Sequence, residues 1–275
     1  MRPPYGANCL VTIGRVSYAV MESFEAVGGA WVEVLDGPVG LRCWWAEPSE
    51  KRSDIDPDSL SNRVYIVLPE VFGVNAWVRS VADRLAVQGH RALALPLFAR
   101  TAPGLELAYE PCDLAEGRRH KDATTAAQIL ADVAAAIAWV RLRCPQAAIH
   151  VVGFCFGGHA AFLAATLPEV EAAFDFYGAG LSRMRPGGGE PSLALLPEIQ
   201  GRLTCVFGTA DPLIPTEDRE AIGTALRMAD PTGQRLRSVA WAGADHGFMC
   251  EARGNFHPQA AAWGWKLLLG DDSVD

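Results

Sequence analysis

The sequence predicts an α/β protein, with a mostly parallel central sheet flanked by helices and a β-hairpin ahead of it. Three observations predict this. From Arg63 onward, short β-type runs alternate with longer helical stretches, the pattern of strand–helix–strand crossovers. The central runs are continuously apolar, as strands covered on both faces are. The 275 residues are half apolar, enough for one large core. The expected organisation is an N-terminal arm over 1–29 and a single domain over 30–275.

The elements follow in order. Residues 30–34 and 41–45 read as the hairpin, with Asp36-Gly37-Pro38 as its turn. Residues 47–62 are polar and carry Pro48 and Pro57, which predicts a surface loop. Residues 63–68 form a central strand. A helix over 76–88 is closed by Gly89. A strand over 91–95 is stopped by Pro96. A long alanine-rich helix over 124–143 ends before Pro145. Strand 148–152 leads into a turn and a helix over 158–167. Strands follow at 172–177, 203–207 and 237–241, and helices at 216–228 and 258–269. Residues 183–195, with Gly187-Gly188-Gly189 inside, read as a mobile loop.

The formal charge of −8 and pI near 5.3 argue against nucleic acid or an anionic membrane surface as the partner. No apolar run approaches the roughly 20 residues of a membrane helix, and the first residues show no signal-peptide pattern. The seven cysteines are scattered and odd in number, which predicts neither a disulfide framework nor a zinc site. A cytoplasmic location is expected. His90, His120, His150 and His257 show no acid, cysteine or histidine partner at ligand spacing, so no metal is assigned. His159, four residues after Cys155, is expected to pack.

The residues with most chemistry are Gly153-Phe154-Cys155-Phe156-Gly157-Gly158. A strand ends in a Gly-x-Cys-x-Gly turn and a small-residue helix starts at once. This is the pattern of a nucleophile elbow, with cysteine where serine usually stands. A thiol held at a helix N-terminus is placed where negative charge is favoured. Asp211 follows one later strand and His246 the next. The chain order nucleophile, acid, base is that of α/β-hydrolases. In such a set the histidine takes the thiol proton, and the aspartate holds the imidazole in one tautomer.

With these residues in view, the chain resembles the dienelactone hydrolase family of α/β-hydrolases from about Ala30 to Leu269. Leu68-Pro69-Glu70-Val71-Phe72-Gly73-Val74-Asn75 is similar to that family's glutamate-bearing loop, and Phe154 to Gly158 to its nucleophile segment. Pro96-Leu97-Phe98-Ala99-Arg100 resembles the loop after its next strand. The resemblance implies an α/β-hydrolase fold and catalytic Cys155, His246 and Asp211. It also implies that Glu70 sits against the resting thiol and governs its proton. The backbone N–H groups of Phe156 and Val71 would form the oxyanion hole.

The chain also departs from the family. Family members proper hold a substrate carboxylate with two arginines. One lies four residues after the histidine, where this chain has Cys250. The other precedes a tyrosine by four, a pair missing from 113–122. Arg100, Arg118, Arg119 and Arg253 are the candidate replacements beside Cys250, and the departure predicts neutral substrates.

The expected activity is hydrolysis of a small-molecule ester or lactone through a cysteinyl acyl-enzyme, with no cofactor. A thioesterase, a lactone isomerase on the same frame, and a non-catalytic thiol-based binding or redox-sensing protein stay open as alternatives.

Overall fold

The computed structural model describes residues 28–49 and 62–270. The expected arm up to residue 27 and most of the expected loop at 47–62 lie outside these residues. Eight strands form one sheet in the order β1-β2-β4-β3-β5-β6-β7-β8. β1 (Ala30–Asp36) and β2 (Val39–Ala46) pair as the expected antiparallel hairpin. Gly37 and Pro38 make a two-residue turn, with Gly37 at φ +56, the left-handed start that such tight hairpins require. β2 joins β4 (Arg91–Ala94) antiparallel. The pairings among β3 (Arg63–Leu68), β4, β5 (Ala148–Phe154), β6 (Val170–Phe176), β7 (Arg202–Gly208) and β8 (Leu236–Trp241) are parallel.

Helices cover both faces because neighbouring strand residues point to opposite sides. Phe154 meets Trp77 of α1 (Ala76–Val87), with ring centroids 4.8 Å apart. Its neighbour Gly153 abuts the backbone of α4 (Phe156–Ala164) on the other face. α6 (Pro258–Leu269) lies beside α1, where the Arg84 guanidinium stands 5.5 Å over the Trp265 ring. α3 (Ala126–Arg143) packs beside α4, and α5 (Thr216–Ala229) packs on β8.

α1 starts where Asn75 accepts the Val78 N–H at 3.2 Å. α3 starts two residues later than the sequence predicts, because Thr125 and Gln128 form a reciprocal capping box. One helix was not foreseen, α2 (Pro111–Asp122). Only Gly117 of its residues is buried, so it carries no apolar stripe to read.

The 183–195 segment is better anchored than a mobile loop. A 3₁₀ helix spans Ser192–Glu198, and Ser192 is fully buried. Among the described residues, no single helix is long and apolar enough to cross a membrane.

Candidate active site

The sheet's parallel strands deliver three loops to one end. β5 runs to Phe154 and α4 begins at Phe156, so Cys155 alone makes the turn. It does so at φ 56, ψ −118, a region that costs a non-glycine residue about 1–3 kcal/mol. The surrounding packing holds it there. Cys155 N–H donates to Phe176 O at 3.0 Å. A Cβ on Gly157 would overlap the carbonyl oxygens of Leu68 and Pro69, and one on Gly158 would overlap Asp175. Glycine at these positions lets α4 press against β3 and β6 and lift the thiol off the sheet. The Phe156 N–H belongs to the first turn, whose amides a helix leaves unpaired.

Asp211 follows β7 and His246 follows β8, as the sequence predicts. His246 Nδ1 lies 2.8 Å from Asp211 Oδ2, while Asp211 Oδ1 accepts the Leu213 N–H at 2.8 Å. Both carboxylate oxygens are engaged, which fixes the orientation of the ring. The other ring nitrogen, Nε2, is buried, and Cys155 is the neighbour that acts most strongly on the ring. Burial disfavours the imidazolium, but a Cys155 thiolate and then Asp211 outweigh it, raising the His246 pKa to about 10.

Glu70 sits at the start of the loop after β3 and is fully buried. It does not cap α1, since Asn75 does. Its Oε1 accepts from Arg253 Nη1 at 2.8 Å, and the Tyr109 hydroxyl also favours the carboxylate. Burial pushes its pKa up, and Arg253 and His246 pull it back. The Arg253 guanidinium lies about 6 Å from the Phe72 and Tyr109 rings, at 5.9 and 6.0 Å. Cys250 is buried behind this pair and donates to Tyr109 Oη at 3.3 Å. Burial first, then Glu70, holds the Cys250 thiol up at about 12.

A cavity of about 460 Å³ opens over these groups. Cys155, His246, Val71, Phe156, Arg118 and Arg253 of the expected site all line it. Arg119 and Arg100 do not. Arg119 is exposed on α2 and pairs with Glu116. Arg100 is committed to Asp132 at 2.6 Å and to Asp36, which ties β1 to α3. The sequence reading missed Lys121 and the Arg183–Asp218 pair, which also line the cavity. Lys121 lies three residues after Arg118, a spacing that places both on one face of an unrecognised helix. Tyr177 was also missed. It stands at φ 46, and its ring packs edge-on against His246 at 5.2 Å.

A sheet in this order, with a strand–Cys155–helix turn after β5 and an aspartate–histidine pair on the loops after β7 and β8, defines an α/β-hydrolase. The chain belongs to the dienelactone hydrolase family, which it matches over residues 55–270. It is similar to a Synechocystis protein provisionally named carboxymethylenebutenolidase, with 40% identity over 207 residues, 74% of this chain and 83% of the relative. The carboxymethylenebutenolidase of Pseudomonas putida is 30% identical over 207 residues, 72% of this chain and 80% of its own. Among solved structures, a provisionally named dienelactone hydrolase from Klebsiella pneumoniae superposes with a TM-score of 0.75 at 24% identity. It covers 88% of this chain and 96% of its own.

Proposed function

We propose that this enzyme hydrolyses small esters or lactones through a cysteinyl acyl-enzyme. The observation that carries the reading is His246, with Nδ1 fixed on Asp211 at 2.8 Å and its other edge turned to Cys155 in one cavity. The Cys155 sulfur attacks the carbonyl carbon, and the proton resides on His246. The Phe156 and Val71 N–H groups receive the developing oxyanion, a contact typically worth about 3 kcal/mol of barrier. As the tetrahedral adduct collapses, the carbon–oxygen ester bond breaks and His246 protonates the leaving oxygen. Water then attacks the thioester with His246 as base, releasing the acid and restoring the thiol.

The cavity's cations narrow the substrate. Arg253 occupies its wall even though position 250 holds cysteine. Arg118 and Lys121 of α2 add two more positive groups to an otherwise mostly apolar lining. This supports a small acyl substrate carrying a carboxylate, against the neutral preference that Cys250 alone predicts. The relatives' names, carboxymethylenebutenolidase, accord with a lactone bearing such a group. An incoming carboxylate competes with Glu70 for Arg253, which would leave Glu70 free to take a proton. The six described cysteines are all unpaired, which supports a reducing, cytoplasmic setting.

The test is single-turnover kinetics with an activated ester. Wild type releases a burst of product stoichiometric with enzyme, and Cys155→Ala releases none. Turnover without a burst and unaltered by Cys155→Ala refutes the acyl-enzyme. Thiol oxidation without any turnover would identify a sensor.

A further inference from the structure

The chain between β6 and β7 builds one wall of the cavity, and within it residues 181–193 close on themselves. The Leu193 N–H donates to Leu181 O at 2.9 Å, and the Ser192 N–H to Met184 O at 3.0 Å. Ends that meet while the chain between them runs over the surface make an Ω-loop. Its first half sends Arg183 and Met184 into the cavity. At its tip Gly187, Gly188 and Gly189 hold φ values of +85, +97 and +93, which other residues resist.

His159 stands at the neck of this loop. It lies one turn along α4 from Cys155 and is 1% exposed. It does more than pack, because both ring nitrogens are engaged. Nδ1 lies 2.8 Å from Ala179 O. A carbonyl only accepts, so Nδ1 carries the hydrogen. The neutral ring then presents Nε2 as an acceptor, and the Ser192 hydroxyl donates to it at 2.7 Å. Burial, the main cause, lowers the ring pKa to about 4 and keeps it neutral. Ala179 precedes the loop and Ser192 closes it. One side chain therefore ties both feet of the loop to the helix that bears Cys155.

A serine, a histidine and a carbonyl in line have the make-up of an activated nucleophile. Ser192, however, is fully buried and absent from the cavity lining, so it cannot meet a substrate.

We propose that His159 and Ser192 form a specificity-determining staple. It sets the distance between the Ω-loop wall and Cys155, and with it the length of acyl group the cavity accepts. The proposal rests on the reading of this cavity as an ester or lactone site. The loop has further anchors. Ala126 N–H donates to Pro186 O at 2.8 Å, and Arg183 Nε donates to Asp218 Oδ1 at 2.7 Å. Losing the Ser192 hydroxyl therefore shifts the wall and leaves the loop folded.

The experiment compares p-nitrophenyl acetate with p-nitrophenyl hexanoate on the full-length protein. In Ser192→Ala the hexanoate-to-acetate ratio of kcat/KM rises about tenfold, and Ser192→Thr, which keeps the hydroxyl, stays near wild type. The double variant His159→Leu/Ser192→Ala moves the ratio no further than His159→Leu alone, because the two groups act as one contact. Should Ser192→Ala not fold, Ser192→Cys, whose thiol is only a weak donor and which leaves the cavity-lining His159 in place, carries the same ratio measurement. A merely structural role lowers both esters together, so an unchanged ratio in folded variants overturns the staple. If Cys155→Ala keeps wild-type turnover, the proposed function falls and takes the staple with it. An unchanged ratio in an enzyme that does require Cys155 removes the staple alone.

Discussion

The Glu70–Arg253 pair is where single side chains have most leverage. Glu70 is 1% exposed and pairs with the Arg253 guanidinium. Removing one member of a buried ion pair strands the other charge, at about 3–5 kcal/mol. Arg253→Met should therefore cost about 3 kcal/mol in urea unfolding, and Glu70→Gln/Arg253→Met should recover part of that loss. A double variant as unstable as the single one would show that the arginine acts through packing on Phe72 and Tyr109. Asp211 offers a second test. An amide there can present the wrong atom to His246 Nδ1 and favour the wrong tautomer, so Asp211→Asn should lower kcat by on the order of 10³–10⁴ with KM little changed.

Among the elements, the elbow tolerates least. The Cβ that Gly157→Ala adds would overlap the backbone carbonyls of Leu68 and Pro69, which cannot swing aside as a side chain would. We expect a loss of about 3 kcal/mol or more, toward the upper end for overpacking, together with loss of Cys155 reactivity. Gly89→Ala is the control. Its φ is +89 but nothing lies within 4 Å of the new methyl, so about 1 kcal/mol is expected. Thermal unfolding of the two variants distinguishes overlap from backbone strain.

This scale also explains what the sequence made legible. Residues 63–68 and 258–269 coincide with β3 and α6, because a continuous apolar run or a proline start marks them. α2 was hidden because a polar helix carries no periodicity. Its available signals were Pro111 at the first turn and the Glu110–Asp113 capping pair. The Cys155, Asp211 and His246 positions were legible because each lies on the loop or turn that follows its own strand. Arg253 was ambiguous because it reaches the cavity from a turn seven residues past His246, where local spacing has no period to follow.

For the whole molecule, acid is the revealing condition. His150 is buried between the Tyr65 and Phe174 rings, with centroids at 5.2 and 6.1 Å. Burial, then Arg63 and Arg202, lowers its pKa to about 3. His90 and His159 are lowered to about 4, chiefly by burial. A lowered histidine binds its proton more readily in the unfolded chain. Stability is therefore lost as pH falls from about 6.5 toward the folded pKa. His150→Phe removes one such proton. Its stability-versus-pH slope near pH 5 should be shallower than wild type by about 1.4 kcal/mol per pH unit, read from urea midpoints. Parallel slopes would mean that His150 is already charged in the folded protein.

The strand order divides the molecule in a way that bears on its assembly from pieces. β1 to β4 fill one side of the sheet and β5 to β8 the other, and the two sides join along the β3–β5 seam. Cys155, Asp211 and His246 all come from the second half, while Glu70 and Val71 come from the first. Pro145 and Gln146, in the short connection ahead of β5, are exposed. A chain severed there would give two fragments, neither holding a whole site. Reassociation across that seam and the α3–α4 and α1–α6 contacts would restore the site all at once, which suits this fold to report on whatever brings its halves together.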